Sequence, residues 1–199
     1  YVKIGSQYWM AENLAYLPYD LPFVAPNTIW LSDSPLYYVY DYNREYVEEA
    51  KATTNYQKYG VLYNWPAAMN GASSSDANPS GVQGVCPSGW HLPSYAEWTE
   101  MSEWIGTAWS KAKLQVITWG GRDTYGFSAR PGGLFYVNVD SGLSAFNHIG
   151  ANAYWWTSTE EDPFPKNEPT CIYLSYYLTY VANQRIAREC GLSVRCIRD

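Results

Sequence analysis

Four cysteines constrain the fold of this chain of 199 residues more than any other feature of its sequence. They are Cys86, Cys171, Cys190 and Cys196, and an even number of cysteines is typical of domains that form disulfide bonds in an oxidising compartment. A zinc site is the alternative, but no two of them form the Cys-x-x-Cys pair of structural zinc sites. We therefore predict two disulfide bonds, for which the sequence alone allows three connectivities.

The composition predicts one folded domain over residues 1–199. Hydrophobic residues make up 47% of the chain and charged residues only 16%, which is the opposite of the balance in disordered chains. The unusual feature is an aromatic content of 18%, with 20 Tyr and 10 Trp. These side chains combine a large apolar area with one polar group, so they suit both a core and a binding surface.

Charge and hydropathy exclude two classes of interaction. The net charge is −6 and Lys and Arg are not clustered, so we expect no nucleic-acid partner. No apolar run approaches the roughly 18 residues that a membrane helix needs, so we expect no transmembrane segment in these residues. Because the first residue is Tyr1, we expect any targeting segment, including a lipid anchor, to lie upstream or to have been removed.

Local signals predict short elements in the first half of the chain. Two short runs flank Gly5-Ser6, a turn signal, so residues 1–14 are predicted to form a β-hairpin. The proline- and tyrosine-rich residues 16–43 show no clear period and predict a long ordered loop. Good helix formers predict a short helix over residues 44–52.

The best-defined helix is predicted at about residues 94–105. Ser94 is a good N-cap and Glu97 follows three residues later, which is the spacing of a capping box. Apolar residues then lie on one helical face, at Trp98, Met101 and Ile105. A second short helix is predicted around residues 108–116.

Two strands are predicted near the end of the chain, over residues 171–181 and 192–198. In the first, alternation places two sets of side chains on opposite faces. The inward set is Ile172, Leu174 and Leu178, and the outward set is Tyr173, Ser175, Tyr177 and Thr179.

Six blocks in a fixed order carry a family resemblance: KIGSQYWMAENL (3–14), YGVLYNWPAAM (59–69), GVCPSGWHLPSYAEWTEM (84–101), GFSARPGG (126–133), AYWWTSTE (153–160) and GLSVRCIRD (191–199). Together they resemble the Fibrobacter succinogenes major paralogous domain over nearly the whole chain. Residues 16–56 and 161–190 depart from the family pattern in length and composition.

The resemblance implies an α+β fold, a C-type lectin-like domain in the branch that includes the formylglycine-generating enzyme. Such a domain has short mixed or antiparallel sheets, two or so helices and much ordered loop, and its two ends lie in one sheet. Members are mostly outer-surface proteins and lipoproteins of Fibrobacter and Bacteroidetes. The resemblance also implies that Cys86 pairs with Cys196 and Cys171 with Cys190.

We expect no enzymatic activity. The formylglycine-generating relatives use two reactive cysteines near the chain end, but the residues around Cys171, Cys190 and Cys196 do not match that motif. The two histidines, His91 and His148, have no partners in sequence that would indicate a catalytic triad, and His91 is predicted to be a buried, hydrogen-bonded side chain. A degenerate or unrecognised enzyme related to these relatives is the alternative.

No cofactor is predicted, with calcium as the one alternative. An acidic cluster of Glu160, Glu161, Asp162 and Glu168 could supply the oxygen ligands of Ca²⁺. A solvated acidic loop is the favoured interpretation, because the segment from Glu168 matches the Glu-Pro-Asn loop of calcium-dependent lectins only in part.

The candidate ligand-binding residues lie in the C-terminal part of the chain. At least one of Trp155 and Trp156 is expected in the core. Tyr, Thr and Asn on a rigid scaffold make an adaptable binding surface, and the candidates are Tyr154, Tyr173, Tyr177, Thr179 and Asn183. We therefore expect a non-catalytic adhesion module outside the cell, at the outer-membrane surface, that recognises a glycan or protein. The alternatives are a structural surface or fimbrial component and a hypervariable binding protein diversified by a retroelement.

Overall fold

The computed structural model describes residues 1–19, 33–106, 110–161 and 168–199, and Glu161 only through its backbone. Within these residues the strands are β1 Val2–Ile4, β2 Gln7–Trp9, β3 Tyr37–Tyr38, β4 Leu62–Tyr63, β5 Trp90–His91, β6 Gly132–Asn138, β7 Leu143–Ile149, β8 Asn152–Glu161, β9 Glu168–Ser175, β10 Ala182–Arg185 and β11 Ile197–Arg198. The helices are α1 Val47–Ala52, α2 Thr54–Tyr59, α3 Trp65–Met69, α4 Tyr95–Ile105 and α5 Ser110–Leu114, with a 3-10 turn at Ile117–Trp119.

The fold belongs to the α+β class, as predicted. One sheet has the order β1-β2-β11-β5 and a second has the order β10-β9-β8-β6-β7, while β3 and β4 form a separate pair. The second sheet is mixed, because β6 pairs with β8 in parallel and the other pairings in that sheet are antiparallel.

The first sheet confirms the predicted hairpin and the predicted meeting of the two ends of the chain. Val2 pairs with Trp9 across the hairpin, and Trp9 in turn pairs with Ile197. The predicted strand over 192–198 is shorter than expected. Its first part instead bonds to the segment after β2, where the Leu14 amide donates to the Val194 carbonyl at 2.9 Å.

The helices agree with the sequence signals, and there are more of them than the two or so expected. Ser94 caps α4, and Glu97 completes the capping box. The predicted helix over 44–52 begins at Val47, and that over 108–116 is described from Ser110 to Leu114. The additional short helices α2 and α3 form where Thr53 and Asn64 cap them. None of the helices in the described part of the chain has the length and apolarity required to cross a bilayer.

Side chains from both faces of β8 are buried. Tyr154 and Trp156 pack into one apolar cluster, and Trp155 packs into the other with Trp9 and Trp98. Both Trp155 and Trp156 are therefore core residues rather than a sugar-stacking platform. The predicted ordered loop over 16–43 contains β3, and its residues 20–32 lie outside the described residues.

The disulfide prediction is half right. Cys86 and Cys196 are bonded, with an S–S distance of 2.02 Å. Cys171 and Cys190 are both free and buried, so the predicted second disulfide is wrong for this structure. Cys190 is instead satisfied by strand β6, because its sulfur accepts a hydrogen bond from the Val137 amide at 3.3 Å and its thiol donates to the Val137 carbonyl at 3.7 Å.

A buried polar network around Asn13 joins the two ends of the chain to β8. The Asn13 Oδ1 atom accepts hydrogen bonds from Trp155 Nε1 at 2.9 Å and from Arg195 Nη2 at 2.9 Å. The Asn13 amide donates to the Tyr59 carbonyl at 3.0 Å and to Ser193 Oγ at 3.1 Å. Because Arg195 is only 1% exposed, Asn13 supplies a hydrogen-bond acceptor to a cation that is buried away from water.

We expect Asn13→Ala to lower the free energy of unfolding by about 3 kcal/mol or more, because removing one partner of a buried charge leaves that charge uncompensated. Urea denaturation followed by tryptophan fluorescence measures the change. Asn55→Ala is the matched control, since Asn55 donates one hydrogen bond, to the Tyr40 carbonyl at 3.0 Å. The Asn55→Ala control should lower the free energy of unfolding by only about 1 kcal/mol. Equal losses in the two variants would contradict a special role for Asn13.

Candidate functional site

A cavity of about 590 Å³ opens at one side of the five-stranded sheet, and we call it the β6–β10 cavity. Its walls are β6 and the turn that follows it, His148 of β7, Tyr154 of β8, and residues 184–189 in and after β10. A volume in this range is typical of sites for small ligands. Its walls therefore come from separate stretches of the second half of the chain.

The rings of His148, Tyr154 and Tyr173 are stacked in a row, and the first two of them line the cavity. The His148 and Tyr154 rings are 6.0 Å apart, and the Tyr154 and Tyr173 rings are 5.7 Å apart. Asn152 Nδ2 donates to the Tyr154 hydroxyl at 2.7 Å, and that hydroxyl lies 2.9 Å from His148 Nδ1. Burial raises the pKa of Tyr154, so its hydroxyl stays protonated near neutral pH.

The rest of the lining includes polar side chains and one exposed tyrosine. Tyr136 on β6 is 41% exposed. Gln184, Arg185 and Glu168 bring amide, guanidinium and carboxylate groups to the same cavity. Planar polar groups beside an exposed ring form hydrogen bonds and apolar contacts together, which is the combination that a sugar ring requires.

A tyrosine-rich loop between β9 and β10 presents the most exposed aromatic surface near the cavity. Tyr176, Tyr177 and Tyr180 are 66%, 86% and 48% exposed. The loop is held by α5, because Lys111 Nζ donates to the Ser175 carbonyl at 2.8 Å and Ser110 Oγ accepts from the Val181 amide at 3.0 Å. It is therefore an anchored surface with exposed rings.

The predicted outward face of residues 171–181 is only partly correct. Tyr173 is half-buried, and Tyr177 and Thr179 are exposed. However, β9 ends at Ser175, which is itself buried, so Tyr177 and Thr179 lie in the loop and not on a strand. The strand ends there because the Leu178 amide turns back to the Ser175 carbonyl, at 3.2 Å.

The other two predicted ligand residues lie on opposite faces of the sheet. Tyr154, predicted as a ligand-binding residue, is only 4% exposed and is part of the cavity wall. Asn183 lies across the strand pair from Ile172, on the side of α4, where its Nδ2 atom donates to the Tyr95 hydroxyl at 3.2 Å. The five predicted residues therefore do not converge on one pocket.

Sequence reasoning missed Tyr136, His148 and Gln184 as cavity residues. Tyr136 carries a usable signal, because it is the exposed position in a strand whose neighbours Phe135 and Val137 are buried. Gln184 carries no such signal in the sequence, because only the pairing of β10 with β9, where Gln184 lies opposite Cys171, places it at the cavity.

Of the predicted acidic cluster, Glu160 and Glu168 have side chains that the structure describes, and Glu161 and Asp162 do not. Glu160 is bonded by Arg188, which also contacts Asp33 at 3.3 Å. Glu168 lines the β6–β10 cavity, and Asp162 lies outside the described residues. Among the residues that the structure describes, no three His, Cys, Asp or Glu side chains form a group that could hold a metal ion.

His91 is a buried, bonded histidine, as predicted. Its Nε2 atom lies 2.8 Å from Glu97 Oε1 and its Nδ1 atom lies 2.7 Å from Asp199 Oδ1. Burial by itself lowers the pKa of His91, but the two carboxylates outweigh burial and raise it above its usual value. The His91 ring thus ties the capped helix α4 to Asp199, directly after β11.

The comparisons with known proteins agree with the resemblance. The model of the Fibrobacter succinogenes major domain matches residues 2–198. No curated protein and no solved structure matches the chain.

We expect neither free cysteine to react with a thiol reagent in the native protein. Burial raises the pKa of Cys190 to about 12 and raises that of Cys171 still further, so both thiols stay protonated and shielded near neutral pH. Titration with Ellman's reagent at pH 8 should detect no thiol in the native protein and two after denaturation. A reactive thiol in the native protein would contradict this and support the enzyme alternative.

We expect His91→Gln to destabilise the protein more at pH 5.5 than at pH 8.5. Because the pKa of His91 is raised in the folded state, its stabilisation is fully present below the unfolded pKa of about 6.5 and is lost as the pH rises through the folded pKa. Urea denaturation at both pH values measures the difference. His148→Gln is the control, since the partner of His148 is a tyrosine hydroxyl. A loss that does not depend on pH would show that His91 acts only by packing.

Proposed function

The chain belongs to the Fibrobacter succinogenes major domain family, and we propose that it is a non-catalytic binding module that recognises a glycan at the outer surface of a bacterial cell. A C-type lectin-like arrangement of the domain is part of this proposal. Attachment to the cell surface is also part of the proposal, and residues outside 1–199 would make it.

One observation carries the proposal: a row of stacked rings leads from the β6–β10 cavity toward an exposed tyrosine loop. Tyr154 forms the cavity wall and stacks on Tyr173. Tyr173 lies two residues before Ser175, at which β9 ends and the loop begins. Tyrosine surfaces on a rigid scaffold bind with little loss of conformational entropy, as in antibody loops.

A glycan fits this surface better than a small apolar ligand. The cavity carries several charged or amide groups and one exposed tyrosine, Tyr136, whereas sites for apolar ligands are mostly hydrophobic. A protein ligand is the second candidate, because Tyr176 and Tyr177 lie outside the cavity and are more exposed than its walls.

The chemistry of the cysteines supports a role outside the cytoplasm and without catalysis. The Cys86–Cys196 bond is of the kind that persists in oxidising compartments. Cys171 and Cys190 are buried and have raised pKa values, so they supply no thiolate nucleophile.

A glycan-array screen of the purified domain, run with Ca²⁺ and again with EDTA, tests the proposal. We expect reproducible binding that Tyr136→Ala and the double variant Tyr173→Ala/Tyr177→Ala weaken about tenfold, as is typical for tyrosines central to a binding surface. Loss of binding in EDTA would add a calcium site to the proposal.

Tyr46→Ala is the matched control for this screen. Tyr46 is 65% exposed and precedes α1, on a surface that does not line the β6–β10 cavity. The Tyr46→Ala variant should bind the same glycans as the unaltered protein, with unchanged affinity. An array without any hit under both conditions would reject the glycan and leave a protein ligand or a structural role.

A further inference from the structure

A second cleft, which we call the α2 cleft, opens between helix α2, residues 12–15 and residues 128–130. Its volume is about 330 Å³, enough for a single sugar ring. No residue lines both this cleft and the β6–β10 cavity. It is therefore a separate feature of the surface, and its argument does not depend on the proposed function of the cavity.

The α2 cleft is positively charged although the chain as a whole is acidic. Lys58, Arg130 and Arg195 line it, and Glu12 is the one acidic residue in its lining. Within the described residues neither Lys58 nor Arg130 has an ion-pair partner. Three cations thus share one cleft in a protein of net charge −6.

Arg195 in the lining of this cleft is a buried cation whose hydrogen bonds go only to neutral acceptors, while the charges of Asp123 and Glu12 act on it without a direct bond. Its Nε and Nη2 atoms donate to Asn13 Oδ1 at 3.3 and 2.9 Å, and its Nη1 atom donates to the Phe127 carbonyl. These acceptors are neutral, and a guanidinium has five N–H donors, so three bonds leave donor capacity unused. A buried charge is normally matched by an opposite charge.

Arg130 adds a second guanidinium to the lining of the α2 cleft. A carboxylate placed between Arg130 and Arg195 would accept hydrogen bonds from both.

We propose that the α2 cleft binds the carboxylate of an acidic sugar. A guanidinium presents N–H groups in a planar fork that matches the two oxygens of a carboxylate. Exposed Lys58 and half-buried Arg130 provide the entry to the cleft.

The test is a nuclear magnetic resonance titration of the whole chain with sodium D-glucuronate. Binding is followed at the backbone amides of Gly60 and Ser128, which line the cleft, so the outcome is independent of the glycan screen. We expect saturable shifts in the native protein. Arg130→Ala should bind about tenfold more weakly, because a hydrogen bond to a charged group contributes on this order, and Arg130→Ala/Lys58→Ala should bind less still.

Three controls decide between outcomes. Arg122→Ala removes the same charge at an exposed position outside the cleft and should leave binding unchanged. Methyl β-D-glucoside, which lacks the carboxylate, should not shift these amides. Inorganic sulfate should bind more weakly than D-glucuronate. Equal loss in Arg122→Ala, equal binding of sulfate, or no saturable shift with D-glucuronate would overturn the proposal.

Discussion

The side-chain oxygen of Asn13 is the acceptor on which the arrangement of both chain ends depends. It accepts from Trp155 on β8 and from Arg195 ahead of β11, while the amide of the same side chain holds the Tyr59 carbonyl at the end of α2. The guanidinium carbon of Arg195 also lies 4.1 Å from the centre of the Phe127 ring. Two neutral oxygens, from the Asn13 amide and the Phe127 carbonyl, therefore accept the hydrogen bonds of the buried guanidinium. Burial lowers the pKa of Arg195 to about 9, although the charges of Asp123 and Glu12 favour its charged form.

This network also sets the direction of the candidate binding surface. Successive side chains of a strand point to opposite faces, so the bond that holds Trp155 toward Asn13 directs Tyr154 to the other side. Tyr154 then meets Tyr173 on β9 and forms the wall of the β6–β10 cavity. The cavity is thus positioned by a rigid core, while the exposed rings beside it lie in a loop whose sequence can change without disturbing that core.

Features that depend on neighbouring residues could be predicted from the sequence, and features that depend on distant contacts could not. The capping box of α4 needs only Ser94 and Glu97, so the sequence contains all the information for it. The loop after β9 is held by Lys111, whose contact with Ser175 no alternation in the sequence reveals. The burial of Arg195 likewise requires Asn13, 182 residues away. The C-terminal region was correctly singled out as tyrosine-rich, but its cavity is assembled from several strands and its lining could not be inferred.

The two clefts differ in the electrostatic conditions that a ligand meets. The β6–β10 cavity carries both signs of charge, including Glu168 and Arg185, whereas the α2 cleft carries an excess of positive charge. The net charge of −6 repels an anion at a distance, but at physiological ionic strength salt largely screens exposed charges that are more than about 8 Å away. Inside the α2 cleft an anion therefore responds mainly to the lining charges, which are Lys58, Arg130 and Arg195 against Glu12. Salt weakens the attraction of exposed Lys58 more than that of buried Arg195, because buried charges are screened less.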